Sequence, residues 1–251
     1  MSGHSKWSTI KRKKAAEDAK RGKVFTRLAR ELTMAARQGG GDPEMNPTLR
    51  LAMDKAKASN MPKDNIERAI IRGTGEGDDD VVLEELTYEG YGPHGVAVLV
   101  DVVTDNKNRT LAEVKHTFAK SNGNMASAGS VMWQFDQKGL VSVTAEGTDF
   151  DELFLMAADA GAENVEDDDD VYAVTTPREE LANVAQALNA AGFTVVDYEL
   201  TWVPKNEVSL DTDAALQVMK LIERMEELDD VQSVSSNLDI TDEALDALQA
   251  A

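Results

Sequence analysis

Over the first 72 residues the apolar positions recur at helical spacing; beyond residue 80 they gather into short runs rich in β-formers. In the N-terminal stretch, Gly39-Gly40-Gly41-Asp42-Pro43 ends one helix and turns the chain. Asn46-Pro47 supplies an N-cap and a first helical residue for the next. Met61-Pro62 opens a third helix, and Gly73 after Arg72 is expected to stop it in the left-handed conformation. Residues 74–80, rich in Gly and Asp, read as a linker.

Residues 83–89 and 96–104 then read as strands joined by a Gly/Pro turn. Asp105 or Asn106 caps a helix running to about Lys120, and residues 131–135 form a third strand. A regular series follows: strand 140–144, helix 150–160, strands 164–166 and 171–175, helix 178–191 and strand 194–203. This β-α-β-β-α-β order is the ferredoxin-like split βαβ pattern. One more helix, capped by Asp211 or Asp213, carries Ala215, Met219, Ile222 and Met225 at helical spacing, and a last strand covers 231–238. These two elements are what the ββαβ run before residue 137 lacks.

The expected fold class is therefore α+β and multidomain, a helical N-terminal domain followed by two ferredoxin-like α/β domains. The expected domains are 1–80, a discontinuous unit of 81–137 and 205–240, and an inserted unit of 138–204.

Composition narrows the function classes. The 251 residues include no cysteine, which excludes a disulfide scaffold, a thiol nucleophile and Cys-based metal sites. The longest aliphatic run, Val96-Ala97-Val98-Leu99-Val100, is too short to span a bilayer. The basic N-terminus lacks the apolar stretch of a secretory signal, so a cytoplasmic protein is expected.

The net charge of −20 hides a division: residues 1–72 carry 17 Lys and Arg against 8 Asp and Glu, a net of +9, and the remainder a net of −29. Such a chain reads as a basic interaction module fused to an acidic body. Partner binding by the basic part is favoured over its docking on its own acidic body.

At about 100° per residue, Lys20, Lys23, Arg27, Arg30 and Arg37 fall on one helix face, while Phe25, Leu28, Leu32 and Ala35 fall on the other. One face packs and the other is expected to present a cationic stripe. Arg21 lies beside it, the run Lys11-Arg12-Lys13-Lys14 precedes it, and Lys6 and Trp7 stand further upstream. Lys and Arg near phosphates release counterions, and Trp7 is suited to stacking on a base. Lys107 and Arg109, opening a later helix, are candidates for a second phosphate contact. Replacing Lys23, Arg27 and Arg30 by Glu is expected to abolish nucleic-acid binding with little change in thermal stability.

Other candidate chemistry fails. Gly90-Tyr91-Gly92-Pro93-His94-Gly95 spells G-x-G-x-x-G, but a strand follows where a dinucleotide site needs a helix. Gly73-Thr74-Gly75-Glu76-Gly77 lacks the Lys-Ser/Thr of a P-loop. His4, His94 and His116 have no ligand spacing, and Asp167-Asp168-Asp169-Asp170 reads as a solvated turn. No enzyme, cofactor, metal, membrane or small-molecule substrate is indicated.

The opening Met1-Ser2-Gly3-His4-Ser5-Lys6-Trp7, Asp18-Ala19-Lys20-Arg21-Gly22-Lys23 and Gly39-Gly40-Gly41-Asp42-Pro43 closely resemble the YebC/PmpR family. So do Asn60-Met61-Pro62-Lys63-Asp64-Asn65-Ile66, Tyr88-Glu89-Gly90-Tyr91-Gly92-Pro93, Thr104-Asp105-Asn106-Lys107-Asn108-Arg109-Thr110, Gly129-Ser130-Val131 and Asp229-Asp230-Val231-Gln232. The resemblance covers essentially the whole chain. It implies three domains and a DNA-binding transcriptional regulator. Alternatively, like the mitochondrial translational activator of cytochrome oxidase, it implies a ribosome-associated factor contacting rRNA and ribosomal proteins and relieving stalling at proline-rich stretches. His94 and Asn122 stand where this family has glycine; a positive φ is less comfortable for His, whereas Asn tolerates it.

Overall fold

The computed structural model describes residues 21–76, 83–168 and 170–249. Three helices come first: α1 (Arg21–Gly39), α2 (Pro47–Ala58) and α3 (Lys63–Thr74). Their apolar faces close on a core of Leu28, Leu32, Leu49, Met61 and Ile66. Asn46 caps α2 by accepting from the Leu49 amide at 3.0 Å, and its side-chain amide donates to Ala35 and Gly40 carbonyls, both at 2.8 Å. One buried side chain thus starts α2 and pins it to the end of α1.

The stop of α3 is Gly75, at φ 76°, not Gly73. Gly73 lies inside the helix because α1 crosses it closely: a Cβ there would sit 2.3 Å from the Thr33 carbonyl oxygen. The sequence marks a glycine, but close approach and helix ending look alike in one dimension.

Two four-stranded antiparallel sheets follow. The first has the order β3-β1-β2-β8, from β1 (Glu84–Tyr91), β2 (Ala97–Thr104), β3 (Asn124–Met125) and β8 (Val231–Ser236). The second has the order β5-β6-β4-β7, from β4 (Phe135–Thr144), β5 (Asn164–Asp168), β6 (Val171–Pro177) and β7 (Val195–Pro204). The helices are α4 (Lys107–Lys120), α5 (Phe150–Asp159), α6 (Leu181–Ala190), α7 (Thr212–Glu226) and α8 (Asp242–Gln249). Val98, Val100 and Val102 of β2 share a core with Phe118 of α4, with Met219, Ile222 and Met225 of α7, and with Val231 and Val234 of β8. The second sheet has its own core, in which Val141, Val143 and Val174 meet Leu153 of α5 and Val184 and Leu188 of α6.

Strand β2 is buried on both faces, which explains its nearly unbroken aliphatic run. Its other face carries Ala97 and Leu99 against Val131 and Phe135, and Val103 against Met34 and Leu83.

The expected third strand at 131–135 is not formed. Residues 132–134 make a short 3-10 turn, and the strand pairing with β1 is Asn124–Met125. The buried Glu89 carboxylate accepts the amides of Val131 at 2.7 Å and Met132 at 2.8 Å, together with that of Gly129. These amides are satisfied by a side chain, so no strand partner is required. Burial pushes the Glu89 carboxyl up, but the three amides outweigh it and hold it below the usual carboxylate range.

Helix α8 falls beyond the expected elements. The acidic run is not wholly solvated either: Asp167 and Asp168 end β5, and Asp168 is buried. The hairpin at 92–96 forms with His94 at φ 60°, and Asn122 takes φ 57°.

Candidate nucleic-acid interface

Helix α1 lies between two partners. Leu28 and Leu32 face α2 and α3, while the cationic face meets the end of α7. A helix end leaves carbonyls unpaired and carries the negative end of the helix dipole. Lys23 Nζ donates to the Glu227 carbonyl at 2.6 Å and Arg27 Nη2 to the Glu226 carbonyl at 3.1 Å. Arg30 donates to the Asp229 carbonyl and, at 2.6 Å, to Asp230 Oδ1. About two turns further, Arg37 donates to the Leu83 carbonyl at 2.7 Å. Spacings of four and three residues on α1 thus match oxygens in and beyond the last turn of α7, and the further step of seven reaches the chain entering β1.

The cationic stripe is real as a face, but it is docked on the acidic body rather than presented free. The physical reason is that a helix C-terminus ending on Glu226 and followed by Glu227, Asp229 and Asp230 is itself a strong cation acceptor. The charge-reversal expectation changes accordingly. Glu at 23, 27 and 30 would set three carboxylates against carbonyl oxygens and the Asp230 carboxylate, so domain docking would suffer and stability would fall.

At the centre of this contact stands Asp230, only 1 % exposed. Its carboxylate accepts from Arg30, from Arg109 at 2.7 Å to Oδ2 and 3.0 Å to Oδ1, and from the hydroxyls of Thr104 and Thr110. Burial pushes this carboxyl up, but the Thr110 and Arg109 hydrogen bonds and the Arg30 charge hold it below the ordinary range. Asp230 was not singled out from the sequence. The signal was present, because 104–110 and 229–232 are among the motifs that carry the resemblance, and the fold brings both to one carboxylate.

Arg109 is therefore held by Asp230 and by Asp105 at 2.8 Å, and Lys107 pairs with Glu84. Asn106 caps α4 by accepting from the Arg109 amide at 3.1 Å. Both cations act here as struts of the first sheet. Lys55 of α2 makes a second bridge, to Glu31 at 3.4 Å and to Asp197 of β7 at 2.9 Å. Lys6, Trp7, Lys11, Arg12, Lys13, Lys14 and Lys20 lie outside the described residues, as does the side chain of Arg21.

A cleft of about 500 Å³ opens beside Asp230, lined by Lys23, Arg30, Arg109, Asp105, Glu113 and Asp229 among others. Among the described residues no group of three or more His, Asp or Glu is placed to hold a metal ion. No helix among them is long and apolar enough to cross a membrane.

A cationic three-helix module seated on an acidic body of two antiparallel sheets defines a multidomain protein of mixed helices and sheets, with charged faces where domains meet. The chain belongs to the TACO1/YebC family. The model of that family's N-terminal domain matches residues 5–76, and the model of its second and third domains matches residues 83–238. It is 55% identical over 248 residues to a probable transcriptional regulatory protein of Geotalea uraniireducens, covering 99% of this chain and 100% of the relative. It matches one of Geobacter sulfurreducens to the same identity and extent. Among solved structures it resembles a conserved hypothetical protein of Aquifex aeolicus, with a TM-score of 0.84, 44% identity, and 90% of this chain and 93% of that one covered.

Proposed function

We propose that this chain is a non-enzymatic regulator of gene expression that binds nucleic acid through its N-terminal helical module. The observation that supports this reading is the division of charge, +9 over residues 1–72 against −29 over the rest. A basic module on an acidic body meets polyanions at one end and repels them elsewhere. The relatives' names, probable transcriptional regulatory protein, point to the same class of partner.

The phosphate contacts are assigned to Lys6, Lys11, Arg12, Lys13, Lys14, Lys20 and Arg21, with Trp7 as a stacking group, and to the α1 face of Lys23, Arg27, Arg30 and Arg37. Helix α2 offers only Arg50, Lys55 and Lys57 toward base edges, and each already has an acidic partner, Lys55 the most buried of them. Contacts are therefore mainly to the backbone, with weak sequence preference. The three-domain division of the sequence reading is kept, and the second sheet's order and its βαββαβ succession support a ferredoxin-like arrangement there.

Fluorescence anisotropy with a duplex DNA and with an rRNA hairpin, across graded salt, tests this. Replacing Lys11, Arg12, Lys13 and Lys14 by Ala should weaken binding and lower the slope of log affinity against log salt by about four on duplex DNA. Unchanged affinity and slope would refute the assignment. Tighter binding to the rRNA hairpin than to duplex DNA would move the site of action to the ribosome.

A further inference from the structure

We propose that the acidic turn after α7 is a latch on the nucleic-acid face of α1, occupying Lys23, Arg27 and Arg30 with oxygens as a phosphate backbone would, so that nucleic acid must displace it. The inference rests on the function proposed above and concerns how that site is regulated.

The chemistry of the two occupants is alike. The latch offers the carbonyl oxygens of Glu226, Glu227 and Asp229 and the carboxylate of Asp230, at the negative end of a helix dipole. A nucleic-acid strand offers phosphate oxygens in sequence and competes for the N–H donors that the latch engages. The turn lies over that face of α1, so a strand can run along it only when the turn moves aside.

The contact is also built to open. The N-terminal module has its own core of Leu28, Leu32, Leu49, Met61 and Ile66, complete without the body. Buried apolar contact between α1 and the first sheet is confined, among the described residues, to the cluster of Met34, Leu83 and Val103. The rest of the α1 contact is polar, made by its cations and by Gln38 with Glu85 at 3.2 Å, and α2 adds Lys55 with Asp197 of the second sheet. Lys23 and Arg37 are exposed at these contacts, where water and salt screen them. Arg30 and Asp230 are the buried exception, and their separation is the main cost that a competing polyanion must offset.

Locking tests the proposal without touching the stripe. The chain has no cysteine, so Gln38→Cys with Glu85→Cys places the only two thiols at an exposed contact between α1 and β1. A short bis-maleimide then ties the C-terminal turn of α1 to β1 in the full chain, and because α1 is one continuous helix this limits its separation from the turn after α7. Linked and unlinked forms of this one variant are compared by anisotropy on a labelled duplex DNA and a labelled single-stranded RNA.

The linked form should bind about ten-fold more weakly or worse, with a salt slope on duplex DNA shallower by about three to four, the share of the α1 cations. Melting of both forms confirms that they are folded. Equal affinity and slope, with clear binding by both, would overturn the latch and leave the nucleic-acid reading standing. Absence of binding by the unlinked form and the unmodified chain at low salt would overturn both. If the thiols fail to link, energy transfer between donor and acceptor dyes on them replaces the lock. Transfer should fall on adding nucleic acid, and unchanged transfer at saturating nucleic acid would overturn the latch.

Discussion

Removing the Asp230 carboxylate is the most informative single perturbation of this fold. Asp230→Ala takes away the acceptor for two guanidinium groups and two hydroxyls at once. A hydrogen bond to a charged group contributes about 1.5–3 kcal/mol, and breaking a buried ion pair costs about 3–5 kcal/mol. Arg109 is 42 % exposed and Arg30 15 %, so Arg109 regains water readily and Arg30 only in part. The expected loss is about 3 kcal/mol, near the low end of that range. Asp230→Asn keeps the shape and one acceptor and should lose about half as much.

Urea unfolding, followed through the transition that includes the first sheet, measures both. The pH dependence adds a check with a definite sign. Because the folded carboxyl sits below its unfolded value of about 4, its contribution is fully present above that value and is lost as pH falls through the lower folded one. The gap between the natural chain and Asp230→Asn should be widest near neutral pH and begin to close below about pH 4. A loss under about 1 kcal/mol for Asp230→Ala, or a gap indifferent to pH, would refute the account of Asp230 as the charged hub of this contact.

Three further outcomes are expected. Gly73→Ala should destabilise by about 1–3 kcal/mol in a thermal melt despite alanine's better helix propensity, because its Cβ meets the Thr33 carbonyl; a raised melting temperature would show that α1 and α3 are further apart. His94→Gly should stabilise by about 1 kcal/mol in urea, since φ 60° is strained for a side-chain-bearing residue, and no gain would mean the hairpin relaxes. Glu89→Ala should strip hydrogen-exchange protection from the amides of Val131 and Met132 and cost about 2–3 kcal/mol, whereas retained protection would place their acceptor elsewhere.

Much of the architecture was legible because it is local. The Asn46-Pro47 start of α2, the Asn106 cap of α4 and the Asp211 cap of α7 are each read within three residues of the amide they serve. The apolar spacing of Ala215, Met219, Ile222 and Met225 marked the buried face of α7 before any partner was known. The missing strand at 131–135 shows the limit. Val131 and Phe135 are good strand residues, and only the Glu89 carboxylate, 42 residues away, shows that the Val131 amide is already taken.

The sequence by itself determined which residues share a face: the cations of α1, the apolar positions beneath them, and the division of charge between the two ends of the chain. Only the tertiary structure decided what that cationic face touches. The acceptors of Lys23, Arg27 and Arg30 lie 199 to 204 residues away, and no periodicity encodes a distance of that kind. Local pattern fixes direction around an axis, because backbone geometry repeats every few residues. Which surfaces then meet is set by packing of the separate cores, and here that packing puts the end of α7 against the cationic face of α1.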